Sequence, residues 1–141
     1  MIELEIRAAS RDEVEQILQL WQVAGENVDR PVDRREAVER LLDRDPESLL
    51  VAVEGAQLVG TVIAGWDGWR AHLYRLAVVP EHRRRGIARS LLDAAAERLI
   101  ALGASRLDAM VVDSNADGQR LWLAAGYAPQ PNWRRWVQHV T

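Results

Sequence analysis

The chain is predicted to fold as an α/β domain, a mixed and largely antiparallel sheet of about six to seven strands with helices on both faces. Three observations carry this expectation. Apolar, strand-length runs at 48–53, 57–66 and 70–79 follow one another with only short turns at Glu54-Gly55 and Asp67-Gly68 between them, which is hairpin spacing. Helix-period stretches separate the remaining strand-like runs, so those strands are reached through crossover helices. The run 73–92, LYRLAVVPEHRRRGIARSLL, begins with the alternation of a strand and ends with the period of a helix.

Each element has its own signal. Ile2, Leu4 and Ile6 alternate with Glu3, Glu5 and Arg7, a half-buried first strand. Ser10-Arg11-Asp12-Glu13 reads as a capping box opening a helix with Val14, Ile17, Leu18 and Trp21 on one face and Gly25 at its end. A loop follows over 26–31, with Asn27, Asp29 and Arg30. Asp33 is placed to cap a second helix carrying Ala37, Val38, Leu41 and Leu42, closed by Asp45-Pro46. Then come the three hairpin strands, the last ending at Pro80 with residues 72, 74, 76 and 78 on one face and 73, 75, 77 and 79 on the other. A helix from about Gly86 carries Ile87, Leu91, Leu92, Ala95, Leu99 and Ile100, with Gly103 as its terminator. A fifth strand at 107–112, a short helix at 116–124 ended by Gly126, and a last strand at 133–140 complete the order βααβββαβαβ.

At 141 residues the chain is expected to be one domain, 1–141, with a single core. It is 48% hydrophobic and 28% charged, ordinary for a globular protein. The absence of cysteine excludes disulfides, thiolate metal sites and cysteine nucleophiles. His72, His82 and His139 have no metal-binding spacing, so no metal is expected. A net charge of −3 argues against a dedicated nucleic-acid binder. No signal peptide and no run of membrane-spanning length is visible, so a cytoplasmic protein is expected, as monomer or homodimer.

The chemistry is concentrated after the fourth strand. A strand that feeds Arg83-Arg84-Arg85-Gly86 and then a helix is built to hold an anion. The first turn of a helix has unpaired N–H groups and partial positive charge, and a phosphate satisfies both. Gly86 allows close backbone approach, Ala88 leaves room, and the arginines add bidentate donors. The segment from Arg83 to Ala88 matches R/Q-x-x-G-x-G/A. With Leu76-Ala77-Val78-Val79-Pro80 before it and Ser90-Leu91-Leu92 behind, it resembles the acyl-CoA pyrophosphate loop of the GNAT N-acetyltransferases. The resemblance runs to about Tyr127; the first half agrees in its order of elements.

The resemblance implies acetyl-CoA as co-substrate and transfer of its acetyl group to a primary amine, on a small molecule or a peptide, by direct attack in a ternary complex. It implies that pyrophosphate lies on Arg83, Arg84, Arg85, Gly86, Ile87 and Ala88. It also implies a splay between strands four and five, where the pantetheine arm meets main-chain groups of Leu76, Ala77 and Val78. The Val78 N–H would polarise the thioester carbonyl. The stretch Asn115 to Tyr127, NADGQRLWLAAGY, resembles the family's N-x-x-A-x-x-L-Y-x-x-x-G-F, so Asn115 would help hold the CoA arm. Two residues depart from the pattern. Gly118 stands where the family has Ala, and Trp122 where it has the Tyr that protonates the departing thiolate. An indole N–H donates a hydrogen bond but is no practical acid, which leaves Trp122 to pack the acyl end or donate to sulfur. His72, four residues before Leu76, takes the position of a general-base glutamate found in some members, and a pKa near 6.5 suits that task. Asp67, Asp108 and Tyr74 are weaker candidates.

Plainer readings stand beside these. The arginine triplet is also a solvated helix start, Asn115 also a helix N-cap, Trp122 also a core-filling residue and His72 also a structural strand histidine. His82 is expected at the rim of the loop. A non-catalytic acyl-CoA-binding module is the alternative that Trp122 raises. Trp133-Arg134-Arg135-Trp136 has the composition of a base-stacking patch, but no nucleic-acid partner and no membrane is expected.

Overall fold

The computed structural model describes residues 3–25, 27 and 30–140; Ile2, Glu26 and Asp29 of the expectations above lie outside them. The chain forms two compact units, Met1–Met110 and Val111–Thr141.

The first unit holds a five-stranded sheet in chain order: β1 (Leu4–Ala8), β2 (Leu49–Glu54), β3 (Gln57–Trp66), β4 (Ala71–Val78) and β5 (Leu107–Ala109). The first four pair antiparallel, and β5 joins β4 in parallel. The tight turns at Gly55 and Gly68, both at positive φ, account for the hairpins. The parallel step needs a long connection, supplied by helix α3 (Ile87–Leu102). Among the described residues five strands replace the expected six to seven. Residues 133–140 form no strand, and Trp133 and Trp136 are exposed. Their spacing explains it: the two tryptophans fall on opposite parities, so no strand face there would be uniformly apolar. β5 is also shorter than its apolar run, ending at Ala109 rather than Val112.

Helices cover both faces of the sheet. On one face α1 (Val14–Ala24) and α2 (Arg35–Arg44) pack Val14, Ile17, Leu20, Trp21, Val38 and Leu42 against Leu49, Val51, Val53 and Ala77 of the strands. On the other, α3 buries Ile87, Leu91, Leu92, Ala95 and Leu99. Leu91 lies so near Gly60 of β3 that a Cβ there would sit 3.0 Å from its Cδ1. The capping box forms, with the Ser10 N–H donating to Glu13 Oε1 at 2.9 Å. Asp33 does not cap α2; it turns inward to the guanidinium of Arg75. Gly103, at φ +112°, ends α3 as expected, with the Ala104 N–H returning to the Leu99 carbonyl.

The strict alternation expected along β4 fails at one place. Thr61 faces Ala77 across the ladder, yet Ile63 faces Tyr74, so β4 carries one extra residue between them. Arg75 sits in this bulge with φ +51°. Residues opposite one another share a face, and Thr61, Ile63 and Gly65 share one by period two. Their partners Ala77, Tyr74 and His72 therefore lie together on the α1/α2 face. His72 and Tyr74 do not share a face with Val78, because the bulge reverses the parity.

The second unit contains α4 (Ala116–Ala124). Its end is another left-handed glycine, Gly126, with the Tyr127 N–H bonded to the Trp122 carbonyl at 2.9 Å.

Candidate active site

After β4 the chain makes a single 3₁₀ turn, Pro80–His82, and reaches Gly86 at φ +80°, the residue before α3. Arg84 is also left-handed, at φ +65°. Among the described residues no backbone bond engages the N–H groups of Arg84, Arg85 or Gly86. Those of Ile87 and Ala88 belong to the first turn of α3, which has no intrahelical acceptors for them. A Cβ on Gly86 would meet nothing within 4 Å, so the space beside Gly86 is open and a side chain there would fill it. This is the form an anion cradle requires.

The three arginines have different duties. Arg83 Nε donates to the Val78 carbonyl at 3.0 Å and ties the turn to the end of β4. Arg85 reaches Glu54 at the end of β2, 3.1 Å away, and the same carboxylate lies 3.4 Å from His82 Nε2. Arg84 makes no ion pair or hydrogen bond among the described residues. Sequence reasoning missed Glu54, since nothing in a strand-end glutamate announces a partner thirty residues on. His82 lies at the loop as expected, held there by Glu54.

The last part of β4 has an open side. The Val79 N–H donates to the Val59 carbonyl, while Val78 faces Gly60. In an antiparallel ladder the groups of neighbouring residues point in opposite directions, so the Val78 N–H and C=O point away from β3. On that side, among the described residues, β5 pairs with Ala71, His72 and Leu73 alone. Ala77 has its carbonyl toward β3, 3.1 Å from where a Gly60 Cβ would be, and its methyl in the core. Leu76 is half-buried.

Arg75 anchors the bulge. Its carbonyl accepts from Thr61 Oγ1 at 2.9 Å, and Thr61 in turn accepts from Trp21 Nε1 at 2.8 Å. Its guanidinium lies 5.1 Å from the centre of the Trp21 ring and donates to Asn27 Oδ1 and to Asp33. Only 7% of Arg75 is exposed, and burial is the main cause that lowers its pKa, opposed by Asp33. The sequence held one clue, a charged residue among the inward positions 73, 75 and 77.

On the α1/α2 face, at the start of β4, a cavity of about 200 Å³ opens. Its lining includes Arg44, Asp45, Asp67, Arg70, His72 and Tyr74. The His72 and Tyr74 rings are 5.9 Å apart. Asp67 Oδ1 accepts from the N–H groups of Arg70 at 2.7 Å and Trp69 at 2.8 Å, which together hold its carboxyl below the usual range. Asp108, beside His72 on the ladder, is held low by its fork of bonds from Arg106 at 2.7 and 2.8 Å. The expected candidates His72, Tyr74 and Asp67 thus come together. Among the described residues no cluster of three metal-binding side chains exists, and no helix is long and apolar enough to cross a membrane.

In the second unit, Asn115 caps α4, its Oδ1 accepting from the Gly118 N–H at 2.9 Å. The Trp122 and Tyr127 rings meet edge to face with centroids 4.8 Å apart.

The family follows from comparison. Residues 12–127 match the model of the Acetyltransferase (GNAT) family. The chain belongs to the GNAT acetyltransferases. An acetyltransferase of Yersinia pestis (strain Pestoides F) is 38% identical over 113 residues, 79% of this chain and 79% of that protein. The aminoglycoside N-acetyltransferase AAC(6')-Iy, solved in complex with CoA, shares the fold with a TM-score of 0.78 at 20% identity, over 100% of this chain and 96% of that one. The diaminobutyrate acetyltransferase EctA from Paenibacillus lautus, solved with L-2,4-diaminobutyric acid and coenzyme A, does so with a TM-score of 0.75 at 20% identity, over 88% and 75%. This GNAT protein is accordingly an acyl-CoA-dependent N-acyltransferase, and acetyl-CoA fits the family as co-substrate. The fold serves acceptors as unlike as an aminoglycoside and a diamino acid, so it does not choose the acceptor.

Proposed function

We propose that this GNAT protein transfers acetyl from acetyl-CoA to a primary amine by direct attack within a ternary complex, both units forming one N-acetyltransferase domain. The observation that carries the proposal is two sets of main-chain donors on one strand–turn–helix unit, the Val78 N–H on the open side of β4 and the unengaged N–H groups of 84–86 ahead of α3. Pyrophosphate would lie on residues 84–88, with the Arg84 and Arg85 guanidiniums beside it. Arg83 would act from behind, by fixing the turn through Val78. The pantetheine arm would enter a splay between β4 and β5 and run along Leu76 to Val78.

There the Val78 N–H would donate to the thioester oxygen as negative charge develops on it. The amine nitrogen forms its bond to the acetyl carbon, the carbon–sulfur bond breaks, and the amine proton passes toward His72, near the start of β4, through a chain of water. The thiolate leaves with a proton from solvent; a thiol pKa of about 8.5 makes it a tolerable leaving group near neutral pH. Asn115 would steady the CoA arm. Trp122 would pack at the acyl end or donate its indole N–H to sulfur.

One paired experiment tests both halves. Gly86→Val should abolish CoA binding in calorimetry, because its side chain fills the cradle and strains a residue at φ +80°. His72→Gln should retain CoA affinity and lose about 10²–10⁴-fold in turnover, the usual worth of a positioned base, with a flattened pH profile. Full CoA binding by folded Gly86→Val would remove the first half, and a wild-type pH–rate profile in His72→Gln the second.

A further inference from the structure

The charges around the cavity at His72 say more than that an amine binds there. Each carboxylate is already matched. Asp45 receives the Arg98 guanidinium, which also donates to the Ala64 carbonyl at 3.2 Å. Asp67 is bound by two backbone N–H groups. Asp108, whose ionisation Arg70 also favours, is held in the fork of Arg106. The two cations on the lining are not matched. Arg44, in the last turn of α2, has no ion pair or side-chain hydrogen bond among the described residues. The Arg70 guanidinium has none either and lies 4.9 Å from the centre of the Trp69 ring. Stacking on indole leaves the in-plane N–H donors of an arginine facing outward.

A site for a polycationic amine would show the reverse, unmatched carboxylates and cations already paired. Two unmatched guanidiniums on the lining of a small cavity that also holds an imidazole and a phenol instead fit a molecule that carries both an anion and an amine. The volume, about 200 Å³, is below the roughly 300–1,000 Å³ usual for larger ligands and suits a small acceptor.

We infer that the acceptor is a small amine that also carries a carboxylate, an amino acid or a close analogue, with Arg44 and Arg70 reading the carboxylate while the amine faces His72. This inference rests on the acetyl transfer proposed above and adds the acceptor's class. Arg44 and Arg70 are then specificity-determining residues.

The test compares matched acceptors that differ only in the carboxylate: L-alanine with ethylamine, L-phenylalanine with 2-phenylethylamine, L-lysine with 1,5-diaminopentane. Spermidine serves as the polycation, and thiol release from acetyl-CoA is followed. In at least one pair the amino acid should be preferred by about tenfold or more in kcat/KM, the worth of one charge-assisted hydrogen bond. Arg44→Gln and Arg70→Gln should each pull that ratio toward one, chiefly by raising KM for the amino acid, with CoA affinity unchanged in calorimetry. Equal or better turnover of the amines lacking carboxylate, or of spermidine, would overturn the acceptor class and leave the transfer reaction standing. Variants that slow both members of a pair alike would overturn the assignment of the two arginines. A protein that binds CoA yet turns over no amine of either kind would overturn both readings.

Discussion

Gly118 shows how a single atom can decide a departure from a family pattern. An added Cβ would lie 2.4 Å from Asn115 Nδ2 and 2.7 Å from its Cγ, so alanine and the observed Asn115 cap exclude one another. Two effects then compete in Gly118→Ala. Alanine gains about 0.8–1 kcal/mol of helix propensity over glycine, and loss of the cap costs about 1 kcal/mol. The substitution should therefore change unfolding free energy by less than about 0.5 kcal/mol, while breaking the Asn115 cap on Gly118. Chemical denaturation checks the first outcome, and the Asn115 side-chain amide resonances, shifted on losing the Gly118 contact, check the second. Trp122 differs in kind. Its edge-to-face contact with Tyr127 gives it a packing role inside its own unit, whatever it does in transfer.

At the scale of elements, the start of α1 carries a pH dependence that can be worked out in sign. Glu13 is held down to about 2 from an ordinary 4.5, first by the Arg7 guanidinium, whose bonds to it are 2.7 and 2.9 Å, and then by the Ser10 N–H. A carboxyl whose pKa is lowered on folding stabilises the fold above its unfolded pKa. That contribution is lost as pH falls through the folded value. Arg7→Gln should thus lower Tm most above pH 4.5, and the gap to wild type should close between about pH 4.5 and 2. Thermal melts of both proteins across that range measure it. A constant gap would place the effect in packing by the Arg7 stem rather than in the ion pair.

Within the whole first unit, Arg75 links three parts that are far apart in sequence. From the β4 bulge it reaches the end of α1 at Trp21, the following connection at Asn27, and Asp33 before α2. Gly25 is what lets it pass, since a Cβ there would lie 2.4 Å from Arg75 Nη1 and 2.7 Å from the Trp21 carbonyl. Removing one partner of a buried ion pair costs about 3–5 kcal/mol. Asp33 keeps some solvent contact, so Arg75→Met is expected near the lower end, about 3 kcal/mol. Gly25→Ala should also destabilise, because a backbone carbonyl cannot step aside as a flexible side chain can. Urea unfolding measures both. A Gly25→Ala protein as stable as wild type would show that the guanidinium does not need this path.

The sequence alone determined what depends on neighbours along the chain. Hydrophobic period placed the four α-helices and the first five strands, Ser10 and Glu13 marked a helix start, Gly86 marked the opening of α3 and Gly103 its end. The candidate anion loop was legible for the same reason, because the donors proposed for it are consecutive backbone groups. Only the tertiary structure decided what depends on pairing across the chain. It placed the extra residue of β4 opposite Val62, which turned His72 and Tyr74 onto the α1/α2 face. It gave Asp33 to Arg75 instead of to a helix cap, and Glu54 to Arg85 and His82. It left 133–140 without a strand despite its aromatic content. Local propensity is a property of a window of residues, whereas register, ion pairing and the matching of charges around a cavity exist only once distant segments have met.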